Sequence, residues 1–318
     1  MKILITGATG FVGSALVSLL KKQGHQLVLV GHHVSAHETA EIHAVNLEDQ
    51  IDWQPLLHGC DVVVHLAARV HVMKENIENA TEKYYQVNVE ATQQLAEQAL
   101  KAGVKRFVYL SSLKVNGEFN ANGRAFDEGD APNPVGPYAQ SKHKAEQILF
   151  ELAKNSALEV TVIRPPLVYG PNVRANFYSL LSIVYKQIPL PLAQIKNLRS
   201  YVYVENLVDF IEKCLEHPQA VNQCFFVSDS KELTTTQLIR ACADALGVKT
   251  RLFYFPQGLL RLVCKLFRKD DFYQRLCGDL TVNINKANRL LGWKPPYTVE
   301  AGLFATAAAF KHKNTNNK

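Results

Sequence analysis

Tyr138 and Lys142 stand four residues apart in Tyr138-Ala139-Gln140-Ser141-Lys142, a spacing that puts a phenol and an ammonium on one face of a helix. A phenol with a reference pKa near ~10 is a poor base at neutral pH, and a nearby positive charge favours its phenolate. Far upstream, residues 6–13 (TGATGFVG) place glycines at Gly7, Gly10 and Gly13. A turn of this kind between a strand and a helix lets the backbone approach a pyrophosphate, whose charge then sits at the helix N-terminus. A further hydroxyl is offered by Ser112, with Ser111 beside it, where the apolar run 105–111 ends. A phenol–ammonium pair, a hydroxyl and a dinucleotide turn together fit alcohol–ketone redox chemistry.

These groups need a frame to hold them. Apolar runs at 2–6, 26–30, 42–45, 61–67, 105–111 and 159–164 read as strands, separated by helical patterns at 11–23, 81–101 and 138–154. Apolar strands alternating with helices imply a parallel sheet covered on both faces. The expected fold class is therefore α/β: a Rossmann-type doubly wound parallel sheet with a smaller, mostly helical C-terminal substrate domain. Residues 1–166 and 204–228 are assigned to the dinucleotide-binding domain, and 167–203 and 229–318 to the substrate domain. The stretch 170–200, rich in Pro and Asn, has the composition of binding loops. Beyond it a strand at 201–204, a helix at 205–215 and a strand at 224–227 returning to the main sheet are expected. Residues 311–318 read as a disordered polar tail. The segment 258–269 (GLLRLVCKLFRK) is amphipathic, with Leu259, Leu262, Val263 and Leu266 on one face and Arg261, Lys265 and Arg268 opposite. Core packing is expected of that apolar face, rather than a membrane-surface anchor.

Bulk properties exclude several classes. The 318 residues are 47% hydrophobic and 20% charged, an ordinary globular composition for one or two domains. No apolar run reaches membrane-spanning length, so stable membrane insertion is not expected. The first strand begins at Lys2, so a signal peptide is not expected either. Six cysteines without a C-x-x-C pair fit reduced thiols and a cytoplasmic location. The net charge of +6 suits an anionic ligand such as a nucleotide, and no cluster of basic and aromatic residues points to nucleic acid. The His-rich stretch around His32, His33, His37 and His43 lacks the Cys or acid that would complete a metal site, so no metal is expected. At the end of the second strand stand Gly31, His32 and His33, with no acid to bond an adenosine ribose. The cofactor is thus NAD or NADP, with a slight lean to NADP and His32 as a candidate contact.

In residues 6–13, in His65-Leu66-Ala67-Ala68, in Asn88-Val89-Glu90-Ala91-Thr92, in residues 111–117 (SSLKVNG), in Pro137–Lys142 and in residues 199–204 (RSYVYV), the chain resembles the extended short-chain dehydrogenase/reductases. The resemblance spans nearly the whole chain and points to the NAD-dependent epimerase/dehydratase branch. It is nearest to a bacterial subgroup of UDP-glucose 4-epimerase-like proteins and UDP-N-acetyl-quinovosamine-forming 4-reductases. The resemblance implies that Tyr138 is the general acid/base, that Lys142 lowers its pKa and bonds the nicotinamide ribose, and that Ser112 is the catalytic hydroxyl. It implies cofactor contacts from Gly7, Gly10, Phe11, Val12, Gly13, His32, Asn46, Leu47, Leu66, Ala67, Ala68 and Pro165 as well. Asn88, Lys114, Asn176 and Arg199 are the implied substrate contacts, with Arg199 suited to a pyrophosphate because a guanidinium fork matches phosphate. The implied partner is a UDP-sugar, and the family often forms homodimers through helices near 81–101 and 138–154.

Two departures from the family narrow the chemistry. Sugar 4,6-dehydratases of the branch carry an Asp-Glu pair directly after the catalytic hydroxyl, because eliminating water needs its own acid and base. Here Leu113 and Lys114 stand there, so dehydration is not expected. Leu167, after Arg164-Pro165-Pro166, stands where UDP-galactose epimerases have an Asn that touches the substrate. Reduction of a UDP-4-keto-6-deoxy-N-acetylhexosamine for surface polysaccharide is thereby favoured over 4-epimerisation of UDP-glucose or UDP-N-acetylglucosamine with tightly bound NAD. A catalytically silent, dinucleotide-sensing regulator is the remote third reading.

Overall fold

The computed structural model describes residues 1–32, 42–70, 77–120, 123–267 and 269–316. The Val-, Ile- and Leu-rich runs fold as β1 (Lys2–Thr6), β2 (Gln26–Gly31), β3 (Ile42–Ala44), β4 (Val62–His65), β5 (Arg106–Leu110) and β6 (Glu159–Arg164). The helices threaded through them are α1 (Phe11–Lys22), α2 (Gln54–Leu57), α3 (Ile77–Tyr85), α4 (Ala91–Lys101) and α5 (Gly136–Lys154). Then come β7 (Leu167–Tyr169), α6 (Ala175–Tyr185), β8 (Tyr201–Tyr203), α7 (Val204–Glu216), β9 (Gln223–Phe226) and α8 (Thr235–Leu246). The chain closes with α9 (Gln257–Leu266), α10 (Asp270–Cys277), α11 (Asn285–Leu291) and α12 (Val299–Asn316).

Among the described residues the main sheet has seven strands in the order β3-β2-β1-β4-β5-β6-β9, and every pairing in it is parallel. The expected doubly wound α/β fold is what forms. Period-two alternation splits each strand between two cores. Ile3, Ile5, Val64, Val108 and Phe225 pack with α1 and α7 on one face, against Leu16, Leu20, Leu207 and Phe210. Leu4, Val63, Phe107, Val160 and Val162 pack on the other against Leu95, Ala99, Ala145 and Leu149. Each fully buried Leu, Ile or Phe contributes roughly 1.5–3 kcal/mol.

A third core gathers Phe177, Leu181, Ile239, Leu246, Leu303 and Phe310 from α6, α8 and α12 around Tyr169, Tyr201 and Tyr203. Here the structure departs from the sequence reading. The stretch read as loops contains α6, which buries Phe177, Leu181 and Val184. β7, unforeseen, pairs in parallel with β8 outside the main sheet. The tail read as disordered continues α12 through Asn316. The amphipathic α9 is turned the other way from expectation: Cys264 is buried, while Leu259, Leu262, Val263 and Leu266 face outward. Among the described residues, no helix is long and apolar enough to cross a membrane.

The third core is tied to the sheet by one buried carboxylate. Asp229 accepts from the Tyr169 hydroxyl (2.7 Å), the Tyr203 amide (2.8 Å) and the Asn206 side-chain amide (2.7 Å). Asn206 in turn brackets Tyr297, donating to its carbonyl and accepting from its amide at 2.9 Å each. Removing the carboxylate strands three buried donors. Asp229→Ala is expected to lower unfolding stability by about 3 kcal/mol in urea titration, whereas Asp209→Ala, which loses one bond to the Trp293 indole, costs about 1 kcal/mol.

Candidate active site

The sheet order reverses between β1 and β4, and the crevice at the carboxyl ends of these strands is where open α/β sheets bind ligands. The glycine turn opens into it. Gly7 has φ +69°, a left-handed conformation that disfavours a side chain. A Cβ on Gly13 would meet the Gly7 carbonyl oxygen at 2.0 Å, so only glycine allows α1 to lie this close to the turn. Gly10 caps α1 with no side-chain hydrogen bond, and the first turn of the helix carries no acidic residue. Its leading amides are thus left for an external acceptor. This cradle fits the pyrophosphate of a dinucleotide. Leu66, Ala67 and Ala68 follow β4 on the opposite wall, with the Leu66 amide bonded to the Thr6 carbonyl at 3.2 Å. Phe11 and Val12 are partly buried at the edge of the third core. Pro165 is buried and accepts from the Leu113 amide at 3.0 Å. His32 and Asn46 are exposed beyond β2 and β3, with Leu47 packed beneath them against the sheet. His33 and His37 lie outside the described residues.

A relay of hydroxyls ties this cradle to α5. The Thr92 hydroxyl donates to the Asn88 carbonyl (2.9 Å), so it accepts from His65 Nε2 (2.9 Å). His65 Nδ1 is then the bare nitrogen and accepts from the Thr6 hydroxyl (2.6 Å), which itself accepts from the Ala67 amide (3.3 Å). The ring is the neutral Nε2–H tautomer. Burial, reinforced by the Lys142 charge, pushes its pKa down to about 3. Asn88 carries the relay onward: its Oδ1 accepts from the Arg69 amide (2.8 Å), and its Nδ2 donates to the Arg69 carbonyl (3.1 Å) and Ser141 Oγ (3.0 Å). Asn88 is buried and its amide is fully engaged, so its geometry is that of a positioning residue rather than the implied substrate contact. It sits in a π-helical turn, Gln86–Glu90, that interrupts the single long helix expected over 81–101. Such turns insert one residue and re-aim a side chain.

Tyr138 and Lys142 lie on one face of α5, as their spacing requires, and Ser112 begins a short 3₁₀ turn after β5. The Ser112 hydroxyl and the Tyr138 phenol are brought together. Burial pushes the phenol's pKa up, and the interaction with Ser112 works against that rise. The expectation that Lys142 draws the phenol's pKa down is not met in this arrangement. Its Nζ lies 4.2 Å from the centre of the Tyr109 ring, a cation–π contact. Burial pushes the Lys142 pKa down to about 7, while Glu146 works to raise it.

Beneath this pair lies a buried network that the sequence reading missed. Glu146, one turn beyond Lys142 on α5, accepts a two-pronged bond from Arg164 and a bond from the Ser111 hydroxyl. Arg164 also donates to Asn116 Oδ1 at 2.9 Å. Burial raises the Glu146 carboxyl, but the His143 ring 3.8 Å away, Arg164 and Ser111 together hold it below the usual carboxylate range. Ser111 is thereby committed to the network, which leaves Ser112 as the hydroxyl facing Tyr138. A carboxylate and an arginine 18 residues apart give no local signal; the only hint is an Arg that ends a buried central strand.

The implied substrate contacts disperse. Lys114 pairs with Glu118 (2.9 Å), and Leu113 is buried. Asn176 is exposed in the first turn of α6. Arg199 is half-buried and donates to the Gly278 carbonyl at 3.1 Å; partial burial pushes its pKa below the ordinary value. A half-buried guanidinium with a net desolvation cost is one that an anionic ligand stabilises.

A parallel sheet with a glycine cradle at its switch point defines a dinucleotide-binding protein of Rossmann type. The family model described as "NAD dependent epimerase/dehydratase family" matches residues 3–226, and the chain belongs to that family. It is 43% identical over 315 residues to a UDP-glucose 4-epimerase of Vibrio cholerae, covering 98% of this chain and 96% of that protein. It is 27% identical to an N-acetyl-alpha-D-glucosaminyl-diphospho-ditrans,octacis-undecaprenol 4-epimerase of Escherichia coli O157:H7, covering 96% and 93%. Among solved structures, MoeE5 in complex with UDP-glucose and NAD superposes with a TM-score of 0.80 at 24% identity, covering 99% of this chain and all of that one.

His65 sets a pH dependence. Below pH 6.5 the unfolded chain takes up a proton that the folded imidazole refuses until about pH 3, so stability is lost as pH falls through that window. At pH 5 the loss amounts to about 2 kcal/mol. Melting temperature is expected to fall more steeply from pH 7 to pH 5 in the wild type than in His65→Gln, which cannot titrate.

Proposed function

We propose that the protein is an NAD-dependent enzyme acting at C4 of a UDP-linked hexose or hexosamine. The observation that carries this reading is the convergence of Ser112, Tyr138 and Lys142 beside the glycine cradle. When bound there, the dinucleotide supplies the hydride acceptor or donor. Tyr138, aligned by Ser112, moves a proton on and off the C4 oxygen. Ser112 donates to that oxygen as charge builds on it. Lys142 holds the cofactor's ribose. Arg199 meets the sugar diphosphate, the part shared by a nucleotide sugar and by the polyprenol-linked sugar in the name of the E. coli relative.

Between the two C4 reactions, 4-epimerisation is the leading reading. It is supported by the 43% identity to the Vibrio cholerae UDP-glucose 4-epimerase over 98% of the chain. The slight lean to NADP finds no support, and NAD is proposed, in keeping with the NAD held by MoeE5. A specific observation keeps 4-ketoreduction as the second reading: the half-buried phenol has a raised pKa, which suits a proton donor to a newly formed alkoxide. Pure protein given a UDP-hexosamine without added cofactor, alongside protein given a UDP-4-keto-6-deoxyhexosamine and reduced dinucleotide, separates them. The C4 epimer in the first tube supports the epimerase; dinucleotide consumption confined to the second overturns it.

Tyr138→Phe is expected to lower kcat by ~10²–10⁴-fold with cofactor binding retained, measured by steady-state kinetics and cofactor titration. Unchanged turnover would favour the silent regulator over both enzymes. Arg199→Ala is expected to raise KM for the sugar diphosphate by roughly tenfold or more, with a smaller effect on kcat.

A further inference from the structure

The helical hairpin α9–α10 carries more exposed large apolar side chains than any other short stretch described. Six of the eighteen large apolar side chains exposed among the described residues, Leu259, Leu262, Val263, Leu266, Phe267 and Phe272, fall within 259–272. Leu266 is 79% and Phe267 66% exposed. Scattered exposed Leu residues are ordinary, but a contiguous patch marks a surface that meets something. The hairpin is anchored by Leu260, Cys264, Leu276 and Cys277, of which Leu260, Leu276 and Cys277 pack against the third core. Its outward orientation is therefore fixed by packing.

Charge identifies the occupant. Residues 257–269 contain Arg261, Lys265, Arg268 and Lys269 and no acid. Adding Arg275, Asp270 and Asp271 gives 257–277 five bases against two acids, a net +3. Lys265 is exposed, flanking the apolar face rather than lying within it. An apolar ridge with basic flanks, on a helix too short to span a bilayer, is the pattern of a helix lying in the plane of an anionic lipid surface. A self-associating face would bring these bases against one another, with only Asp270 and Asp271 of α10 to offset them.

We propose that α9–α10 docks the protein onto an anionic lipid bilayer, with Leu262, Leu266 and Phe267 in the headgroup layer and the flanking bases on lipid phosphates. The dock adjoins the candidate substrate region. α10 ends at Cys277, and the next carbonyl, Gly278, accepts from both Asn197 Nδ2 and Arg199 Nη1 at 3.1 Å. A bilayer touching the hairpin thus lies beside the arginine proposed for the diphosphate. The docking inference does not depend on the sugar chemistry.

Flotation of the full-length protein with phosphatidylglycerol-containing vesicles tests it. The protein is expected to float with anionic vesicles at low salt and to leave them at high salt, and to remain unbound with phosphatidylcholine alone. Leu262→Glu/Leu266→Glu is expected to lower partitioning at least ~tenfold while melting temperature and turnover of soluble substrate stay at wild-type values. Arg261→Glu/Lys265→Glu, which leaves the apolar ridge intact, is expected to abolish the preference for anionic vesicles. Absence of flotation with anionic vesicles overturns the proposal. So does a concentration-dependent dimer in analytical ultracentrifugation that Leu262→Glu/Leu266→Glu dissociates.

Discussion

A neutral imidazole buried at the end of β4 holds the candidate site together. His65 can bond two hydroxyls at once only because one ring nitrogen donates and the other accepts, and that polarity fixes the direction of every bond around it. From Ala67 through Thr6, His65, Thr92, Asn88 and Ser141, the chain of bonds reaches the Tyr138 carbonyl, which accepts from Ser141 Oγ at 2.8 Å. The walls of the cofactor crevice and the first turn of α5 are thereby set in one register. Protonation would make both nitrogens donors, and the Thr6 hydroxyl would have to reverse. The cost of burial keeps that from happening near neutral pH.

Around this frame, charge is arranged in two layers. Deep in the sheet, Glu146 and Arg164 neutralise each other and satisfy Ser111 and Asn116, so the network is rigid and electrically closed. Above it, Lys142 is buried and Tyr138 half-buried without such closure. The ammonium is drawn down by desolvation and the phenol is pushed up, so both favour their neutral forms more than they would in water. Their pKa values are thereby driven apart, so near neutral pH the phenol keeps its proton, as a general acid must.

Much of this was legible in the residues. Strand positions follow from apolar runs, and the glycine cradle from three glycines between a strand and a helix. What escaped did so for physical reasons. The π turn at Gln86–Glu90 inserts a single residue, too small a phase change to disturb a helical pattern. α6 lies between Pro- and Asn-rich flanks, and its apolar face is recognisable only beside α8 and α12. β7 is three residues long and follows two prolines. Polar residues beyond Lys311 extend α12 because a helix already nucleated and packed propagates at little further cost. Roles that depend on partners distant in sequence, such as Glu146 with Arg164 or the engaged amide of Asn88, leave no trace in local spacing.

The amphipathic segment shows the limit most clearly. Its periodicity states that one face is apolar, and the usual inference is that this face seeks the core. On α9 the inward direction is instead taken by Leu260 and Cys264, one residue to either side of Arg261 and Val263 and about a third of a turn away from the Leu259–Leu262–Leu266 ridge. Two modest side chains suffice there because the third core is already filled by α6, α8 and α12. The stronger apolar ridge is left over, and a sequence that keeps four such residues on a solvent face, with bases beside them, has some surface for them to meet. The hairpin that carries this ridge runs into Gly278, whose carbonyl accepts from Arg199, so the proposed lipid contact and the proposed diphosphate contact share one stretch of chain.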